Sequence, residues 1–453
     1  MKDIEGIPYA TAEFDEEGKL KNNPQVAAGT TDLIIISHGW KNSAADATEL
    51  YTKLFTNLAK ATMNDTPFQK RKLAIFGVIW PAKQFDVAMT ELADAQAKAG
   101  GAAGLGAANV AGSEEAMQKA LDRAAGFFSE PEELKKIEEL RKLTGALENN
   151  VASQTKFVQT LRELVDPDGT AAAMQSNDDA SKKFFKGDPA EIFKQAKRKG
   201  PASTTGPAPP SAPLAPSGPV GQVSGQAAGL KEFFSGAANA VANLLNLATY
   251  FKMKNRAGTV GSHGMAPLID QIANQVERIH LVGHSFGGRL VVAAATDSTT
   301  TKLHSVSLLQ AAFSHNGFSK KKGGFFRRMI EQERVAGPVL ITHTKNDRAV
   351  GLAYPAASRI SGDKAMAFGD KNDDFGGLGS NGAQNMGEKE ISVAATRLLR
   401  VGSAYQFEAQ LLHNLLSDEF IKDPTGGDAH GFVFVPEVAW AISRAILFEK
   451  PRA

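Results

Sequence analysis

The chain has 453 residues, of which 42% are hydrophobic, with a formal net charge of +2 and no cysteine. The lack of cysteine excludes disulfides, iron–sulfur clusters and zinc sites built from thiolates. A charge this small gives no overall field that would attract nucleic acid. Residues 1–6 carry charges where a signal peptide needs an apolar run, and no stretch of 18 residues is apolar enough to span a bilayer, so we expect a cytoplasmic protein.

Two buried strands are predicted within residues 1–82. The continuous apolar run in 33–40 suits a central parallel strand that is covered on both faces, and it ends in His-Gly-Trp. Residues 73–81 form a second run of this kind. We expect 1–82 to combine with 262–453 into one α/β core.

Residues 83–261 form an insertion far longer than the usual connection between two elements. Apolar residues recur at near-helical spacing in 134–164 and 233–251, which predicts a mainly helical insertion. Residues 200–229 are rich in Pro, Gly, Ser and Ala, which predicts a linker without a core. Because the insertion follows the carboxyl end of a strand, we expect it on the ligand side of the sheet as a lid. A decorative hairpin or an oligomer contact is the alternative.

The most informative motif lies at 279–288, where a short apolar strand runs into Gly-His-Ser-Phe-Gly-Gly. A helix of small residues follows. This strand–turn–helix context is typical of a nucleophile elbow, in which Ser285 is the nucleophile and Gly283 and Gly287 leave room for the tight turn. The alternative is a glycine-rich turn of no chemical role.

A nucleophilic serine needs donors for the oxyanion that forms after its attack. The backbone N–H after the nucleophile belongs to Phe286, and an N–H from the early His-Gly-Trp loop belongs to Trp40. We expect these two groups to form the oxyanion hole. Taken alone, the early loop also fits a strand end with a packed tryptophan.

These motifs resemble those of the α/β-hydrolase superfamily, over residues ~25–82 and ~262–450. Within it the chain looks most like the serine esterases and lipases. It is more loosely similar to poorly characterised bacterial α/β hydrolases that carry His-Gly followed by Trp or Tyr and Asn. The resemblance implies a mostly parallel α/β sheet flanked by helices, here with a large helical insertion. It also implies a triad in the order Ser, Asp or Glu, then His.

The family order implies an acid downstream of the nucleophile, and Asp347 follows the predicted strand 339–344 as the family's acid does. Its role would be to orient the catalytic histidine and stabilise the imidazolium. The alternative without a catalytic role is that Asp347 belongs to a surface Asn-Asp turn. An acidic cluster offers a less favoured source of the acid, because it follows no strand: Asp370, Asp373 and Asp374.

The same order leaves two candidates for the general base, His413 and His430. His430 lies in a loop before a terminal helix with Pro436 near its start, which is the family's usual placement. His413 lies in 410–416, an apolar pattern that predicts a helix and a satisfied core histidine. His284, beside the nucleophile, is predicted to be a packing residue.

Other motifs are weaker. The sequence of residues 104–109 is close to the glycine-rich loop of dinucleotide-binding proteins, but no predicted strand precedes it. Residues 370–375 have calcium-loop spacing without the required glycine and glutamate. The basic, aromatic segment 320–328 could contact an anionic membrane surface, although a solvated loop is the simpler interpretation.

The sequence therefore predicts a serine hydrolase that cleaves carboxylic esters with Ser285, His430 and Asp347, and with no cofactor or metal. Its substrate would be a small-molecule or lipid-like ester. An amidase or peptidase would use the same triad. A non-catalytic interaction protein on a hydrolase scaffold is the alternative from another class, since fold does not dictate function.

Overall fold

The structure is a computed structural model. It describes residues 2–40, 42–82, 107–128, 130–167, 169, 184–197, 236–347, 350 and 376–449. Three sequence predictions lie outside this part of the chain: the linker at 200–229, the acidic cluster at 370–374, and the glycines of the loop at 104–106.

Eight strands form one sheet in the described part of the chain. In chain order they are β1 (Lys2–Ile4), β2 (Ile7–Glu13), β3 (Asp32–Ser37), β4 (Leu73–Ile79), β5 (Arg278–His284), β6 (Leu303–Leu309), β7 (Val339–His343) and β8 (Leu412–Leu416). Their order across the sheet is β1-β2-β4-β3-β5-β6-β7-β8. The edge strand β1 pairs antiparallel with β2, and the other six pairings are parallel. The predicted mostly parallel α/β sheet is confirmed at this level.

Helices flank the sheet on both faces. They are α1 (Ala44–Thr62), α2 (Thr66–Gln69), α3 (Ala107–Ala125), α4 (Pro131–Leu143), α5 (Val151–Val165), α6 (Pro189–Ala196), α7 (Ala237–Thr259), α8 (Ala266–Ile272), α9 (Phe286–Asp297), α10 (Arg327–Glu331), α11 (Leu378–Asn381) and α12 (Pro436–Ile446). Short 3-10 turns span Thr144–Ala146 and Ala273–Gln275, and a π-helical turn spans Val260–Met265.

Strand β3 shows how the apolar run builds two cores. Successive side chains of a strand point to opposite faces of the sheet. Leu33 and Ile35 therefore join the core under α9 and the insertion, whereas Ile34 and Ile36 join the core under α1 and α12. All four side chains are fully buried, which explains why this strand is apolar without alternation.

The strand order reverses between β3 and β5. The chain passes from β3 to its neighbour β4 on one side, and after the insertion it continues from β5 towards β8 on the other. Helix α1 after β3 and helix α9 after β5 consequently pack on opposite faces of the sheet. Such a reversal leaves a crevice at the carboxyl ends of the two strands, where open α/β sheets bind ligands.

The described helices of the insertion share the hydrophobic core of one sheet face. Phe157 and Leu161 of α5 and Phe251 of α7 belong to the same buried cluster as Leu290 of α9. Ile137 and Leu140 are buried as their spacing predicts, but Leu134 is 41% exposed because it faces solvent on α4. The insertion helices therefore form an additional layer over the sheet.

The helical backbone continues from α7 through the π-helical turn into α8, so the sequence-based boundary at 261/262 falls inside a helix. Two glycines permit close backbone packing there. A Cβ on Gly261 would lie 2.3 Å from the Leu290 carbonyl oxygen, and one on Gly264 would lie 2.4 Å from the Gly18 carbonyl oxygen. The π-helical turn is thus held against α9 and against the loop after β2.

Two local predictions need correction. Residues 410–416, predicted to be helical, contain strand β8, which pairs with β7 from Val339↔Leu412 onwards. A short apolar run is compatible with either a helix or a buried strand. Here the run forms a strand because the edge of β7 offers hydrogen-bond partners to it. Strands β1 and β2 were not predicted at all, because residues 2–13 carry too few apolar side chains for a clear pattern.

Within the described residues, no helix combines the length and the apolar character needed to cross a bilayer.

Candidate active site

The predicted nucleophile elbow lies where β5 meets α9. Ser285 has φ 56° and ψ −125°, a left-handed conformation that costs a non-glycine residue about 1–3 kcal/mol. The flanking glycines are sterically required. A Cβ on Gly283 would lie 2.5 Å from the Gly287 carbonyl oxygen, and a Cβ on Gly287 would lie 2.2 Å from the Ser37 carbonyl oxygen. The backbone therefore has the strained, crowded turn that the motif predicts.

The backbone on either side of Ser285 is held by the next strand. The Ser285 N–H donates to the Leu309 carbonyl at 3.1 Å, and the Ser285 carbonyl accepts from the Ala312 N–H at 3.0 Å. On its other side the serine faces the early loop, since a Cβ on Gly39 would lie 2.4 Å from Ser285 Cβ and 2.9 Å from Ser285 Oγ. Only a glycine fits this position, and its backbone borders the hydroxyl.

The two predicted oxyanion donors lie on neighbouring segments. Phe286 is the first residue of α9, so its N–H has no carbonyl partner within the helix and lies at the positive end of the helix dipole. The Trp40 and Phe286 rings pack with centroids 6.0 Å apart, which brings the two residues together.

The orientation of the Trp40 N–H is determined by its peptide group. The Gly39 carbonyl of this peptide accepts hydrogen bonds from His38 Nδ1 at 2.8 Å and Asn42 Nδ2 at 3.3 Å. In a trans peptide the C=O and N–H point in opposite directions. The Trp40 N–H is therefore directed away from the His38 ring.

His38 can hold the Gly39 carbonyl in this orientation because its imidazole ring is buried and neutral. Burial lowers the pKa of His38 to about 4. Its Nε2 accepts from the Trp80 N–H at 3.4 Å, so the proton lies on Nδ1, and the ring stacks on Trp80 with centroids 5.5 Å apart. The Tyr51 hydroxyl accepts from the His38 N–H at 2.7 Å and donates to the Val78 carbonyl. The end of β3 is thus rigid.

Asp347 and His430, 83 residues apart in sequence, are hydrogen bonded through Nδ1 and Oδ2 at 2.9 Å. The Asp347 side chain is fully buried, and its Oδ1 accepts from the Val350 N–H at 3.0 Å. The surface-turn alternative for Asp347 is therefore wrong. Asn346 contributes as well, since its carbonyl accepts from the Ala429 N–H at 3.1 Å beside the catalytic loop.

His284 brings His430 to the elbow. Its Nε2 lies 2.9 Å from the His430 carbonyl oxygen, and the two imidazole rings are 4.8 Å apart. His284 precedes Ser285 directly, so this contact brings His430 to the end of β5 that carries the serine. Sequence reasoning predicted only a packing role for His284, because nothing in a local pattern reports a contact across 146 residues.

The rejected candidate for the base lies elsewhere. His413 is fully buried within β8, and its Nε2 contacts the backbone of Glu408 at 3.2–3.3 Å. The expectation of a core histidine is met, although the element is a strand.

The insertion also reaches the elbow, which the sequence pattern could not reveal. Tyr250 of α7 packs on Phe286 with ring centroids 5.2 Å apart, and it is followed by Phe251, which stacks on Phe184. An aromatic series thus connects the insertion with the residue that carries one oxyanion donor.

In the basic segment 320–328, the three successive lysines are exposed and Phe325 is 39% exposed. Arg327 and Arg328, in contrast, are both paired with carboxylates of the protein. A peripheral membrane contact by this segment stays a prediction.

Among the residues that the structure describes, no three His, Asp or Glu side chains are grouped as they would be to hold a metal ion. Comparisons with models of protein families, with curated proteins and with solved structures find no match to this chain. The function is therefore inferred from the geometry of the site.

Proposed function

We propose that this protein is a serine hydrolase of the α/β-hydrolase type that cleaves carboxylic esters through an acyl-enzyme. The observation that carries the proposal is the hydrogen bond between His430 Nδ1 and buried Asp347, in a residue whose carbonyl is bound by His284, the neighbour of the strained Ser285. A strained serine, a histidine at its side and a buried carboxylate behind that histidine are the three parts of a nucleophilic triad.

In the proposed reaction, Ser285 Oγ attacks the acyl carbon while His430 Nε2 takes the hydroxyl proton. Asp347 accepts the Nδ1–H and stabilises the imidazolium. The oxyanion accepts hydrogen bonds from the N–H groups of Phe286 and Trp40. His430 then gives its proton to the leaving alcohol as the ester C–O bond breaks. Water, deprotonated by His430, attacks the acyl-enzyme and releases the acid and free Ser285.

We propose that the insertion acts as a lid over this site. The contact between Tyr250 and Phe286 supports a role in shaping the acyl pocket, because it joins α7 to the oxyanion segment. An apolar wall of aromatic rings favours a small-molecule or lipid-like ester. We place the protein in the cytoplasm and propose no cofactor.

Labelling with a fluorophosphonate probe tests the proposal. The Ser285 oxygen would displace fluoride from phosphorus, so we expect the wild type to be labelled on the peptide that contains Ser285, and Ser285→Ala to remain unlabelled. Ser305→Ala is the matched control, because Ser305 is hydrogen bonded to a buried histidine, His280, but lies towards the opposite end of the strands. A wild type that resists the probe, or that is labelled equally without Ser285, contradicts the proposal and favours a binding protein.

Turnover distinguishes the remaining alternatives. We expect hydrolysis of p-nitrophenyl butyrate to exceed that of the matching p-nitroanilide. The reverse order would identify an amidase or peptidase with the same triad.

A further inference from the structure

We propose that His284 is a positioning residue for the catalytic base: it donates its Nε2–H to the main-chain carbonyl of His430 and holds that residue over the elbow. The inference rests on the proposed function, since it assigns His284 a role in the same reaction.

The direction of this hydrogen bond follows from its chemistry. A carbonyl oxygen only accepts, so at 2.9 Å the Nε2 of His284 must carry the proton. The neutral ring then has a bare Nδ1, which is buried without a hydrogen-bond partner among the described residues. Burial, and next the charge of neighbouring His430, lower the pKa of His284 to about 3. The ring therefore keeps this tautomer throughout the neutral range.

Three hydrogen bonds join the catalytic residue and the residue before it to other segments of the chain. Its imidazole is held by Asp347, and the preceding Ala429 N–H donates to the Asn346 carbonyl. Both of these anchors run to the loop after β7. The third anchor, from His284, runs to β5, the strand that carries Ser285. The hydrogen bond from His284 to the His430 carbonyl therefore holds the base in position relative to the nucleophile.

Ring packing adds a second contribution. The imidazoles of His284 and His430 lie 4.8 Å apart and are tilted by 39°. When His430 becomes an imidazolium during catalysis, a neutral neighbour does not repel it, whereas a charged one would. A buried histidine supplies both a neutral surface and the N–H donor. Leucine or methionine would supply only the surface.

Small displacements of a catalytic base are costly. A misplacement of about 1 Å can reduce turnover by about 10²-fold. Loss of the His284 donor should therefore lower kcat while KM changes little, because the buried His284 side chain acts through His430.

Three variants test the inference. In His284→Gln the side-chain amide reaches to about the level of Nε2 and keeps the donor. In His284→Met the volume is kept without a donor, and in His284→Asn the shorter amide falls short of the carbonyl. We expect kcat for p-nitrophenyl butyrate to fall about 10–100-fold in the Met and Asn variants, with KM nearly constant. We expect the Gln variant to recover most of this loss.

The control is His280→Met, which removes another buried histidine from the same strand, at the far edge of the sheet. It should lower the melting temperature but keep kcat, which separates positioning from stability. If His284→Met does not fold, the Asn variant is decisive. A folded Met or Asn variant with wild-type kcat overturns the inference, as does a Gln variant as slow as the others. Fluorophosphonate labelling identifies which idea has failed. An unlabelled wild type rejects the proposed function and this inference with it, whereas a labelled wild type and an equally fast His284→Met reject only the positioning role.

Discussion

At the scale of single residues, the described part of the chain holds, besides the proposed triad, a hydrogen-bonded series of Asp, His and Ser at the opposite ends of the strands. At the amino ends of the strands, His280 Nε2 lies 3.1 Å from Asp32 Oδ1 and His280 Nδ1 lies 2.8 Å from Ser305 Oγ. Arg71 binds the same carboxylate with two nitrogens, at 2.7 and 2.9 Å. This second series lies within strands, without the left-handed backbone of Ser285 and without a helix N-terminus beside its serine. Residue types alone therefore do not make a nucleophilic site.

The two buried carboxylates should respond differently to the same substitution. Asp347→Asn should reduce ester turnover by about 10³–10⁴-fold, since the amide no longer holds His430 in the productive tautomer. Asp32→Asn should keep turnover per folded molecule but lower the free energy of unfolding by about 1–3 kcal/mol, because charged hydrogen bonds are lost. Steady-state kinetics and urea unfolding of both variants check this. Similar kinetics in the two variants would show that Asp347 has no special role.

At the scale of elements, the site depends on close contact between the segment that follows β3 and the segment that follows β5. Gly39 is one point of close approach, and its carbonyl is held by the His38 ring. The early loop is thereby bound to the strand end from which it departs. Its geometry does not depend on the insertion, whereas the aromatic wall beside it does.

Gly39→Ala should reduce kcat by about 10²–10³-fold, the cost of losing one oxyanion donor. The added Cβ would overlap Ser285 Cβ at 2.4 Å, so the loop must move and the Trp40 N–H with it. Gly431→Ala, next to the catalytic histidine, is the control, because its Cβ meets nothing within 4 Å. Turnover of p-nitrophenyl butyrate should be near normal there. Equal kcat in the two variants would argue against an oxyanion role for this loop.

The lid proposal predicts an effect on selectivity at Tyr250. Tyr250→Ala should shift the preference among p-nitrophenyl esters towards longer acyl chains, by about 10-fold or more for a pocket enlarged by several carbons. Phe157→Ala removes an aromatic ring from the same layer, on α5, and should leave the acyl-length profile unchanged. Point variants are preferable to deleting helices, since α5 and α7 belong to the core of the sheet. An unchanged profile in Tyr250→Ala would leave the insertion without a role in selectivity.

At the scale of the whole molecule, sequence patterns predicted the features that are formed by residues close together in the chain. The elbow could be predicted because strand, turn and helix lie within ten residues, and β3 and β4 because both faces of each are buried. The Asp347–His430 pair followed from the family order. The contacts of His284 with His430 and of Tyr250 with Phe286 could not be predicted, because they join segments that only the folded chain brings together. Strand β8 was missed for the same reason, since its partner decides its conformation.

Buried neutral histidines also predict how the molecule responds to acid. The native pKa of His38 is about 4 and that of His284 about 3, while an unfolded histidine titrates near about 6.5. As the pH falls below about 6.5, the unfolded chain binds protons that the native state does not, so stability falls. Each group removes about 1.4 kcal/mol per pH unit, down to its native pKa.

Urea unfolding at about pH 7.5, 6 and 5 measures this loss. The slope should be smaller in His284→Gln, in which one of the histidines with a lowered pKa is replaced. Stability that is constant from about pH 7.5 to 5 would contradict the prediction.

The unbroken helical backbone from Ala237 to Gln275 has a mechanical consequence. A lid that opens by hinge motion requires a flexible hinge at each end. Here one end is a continuous helix that packs through Gly261 on α9 and leads towards β5. Force applied to α7 would pass directly to the elbow strand. The hydrogen-bonded backbone amides in the interior of this helix should exchange with deuterium more slowly than those at its ends, and close to the rate set by unfolding of the core.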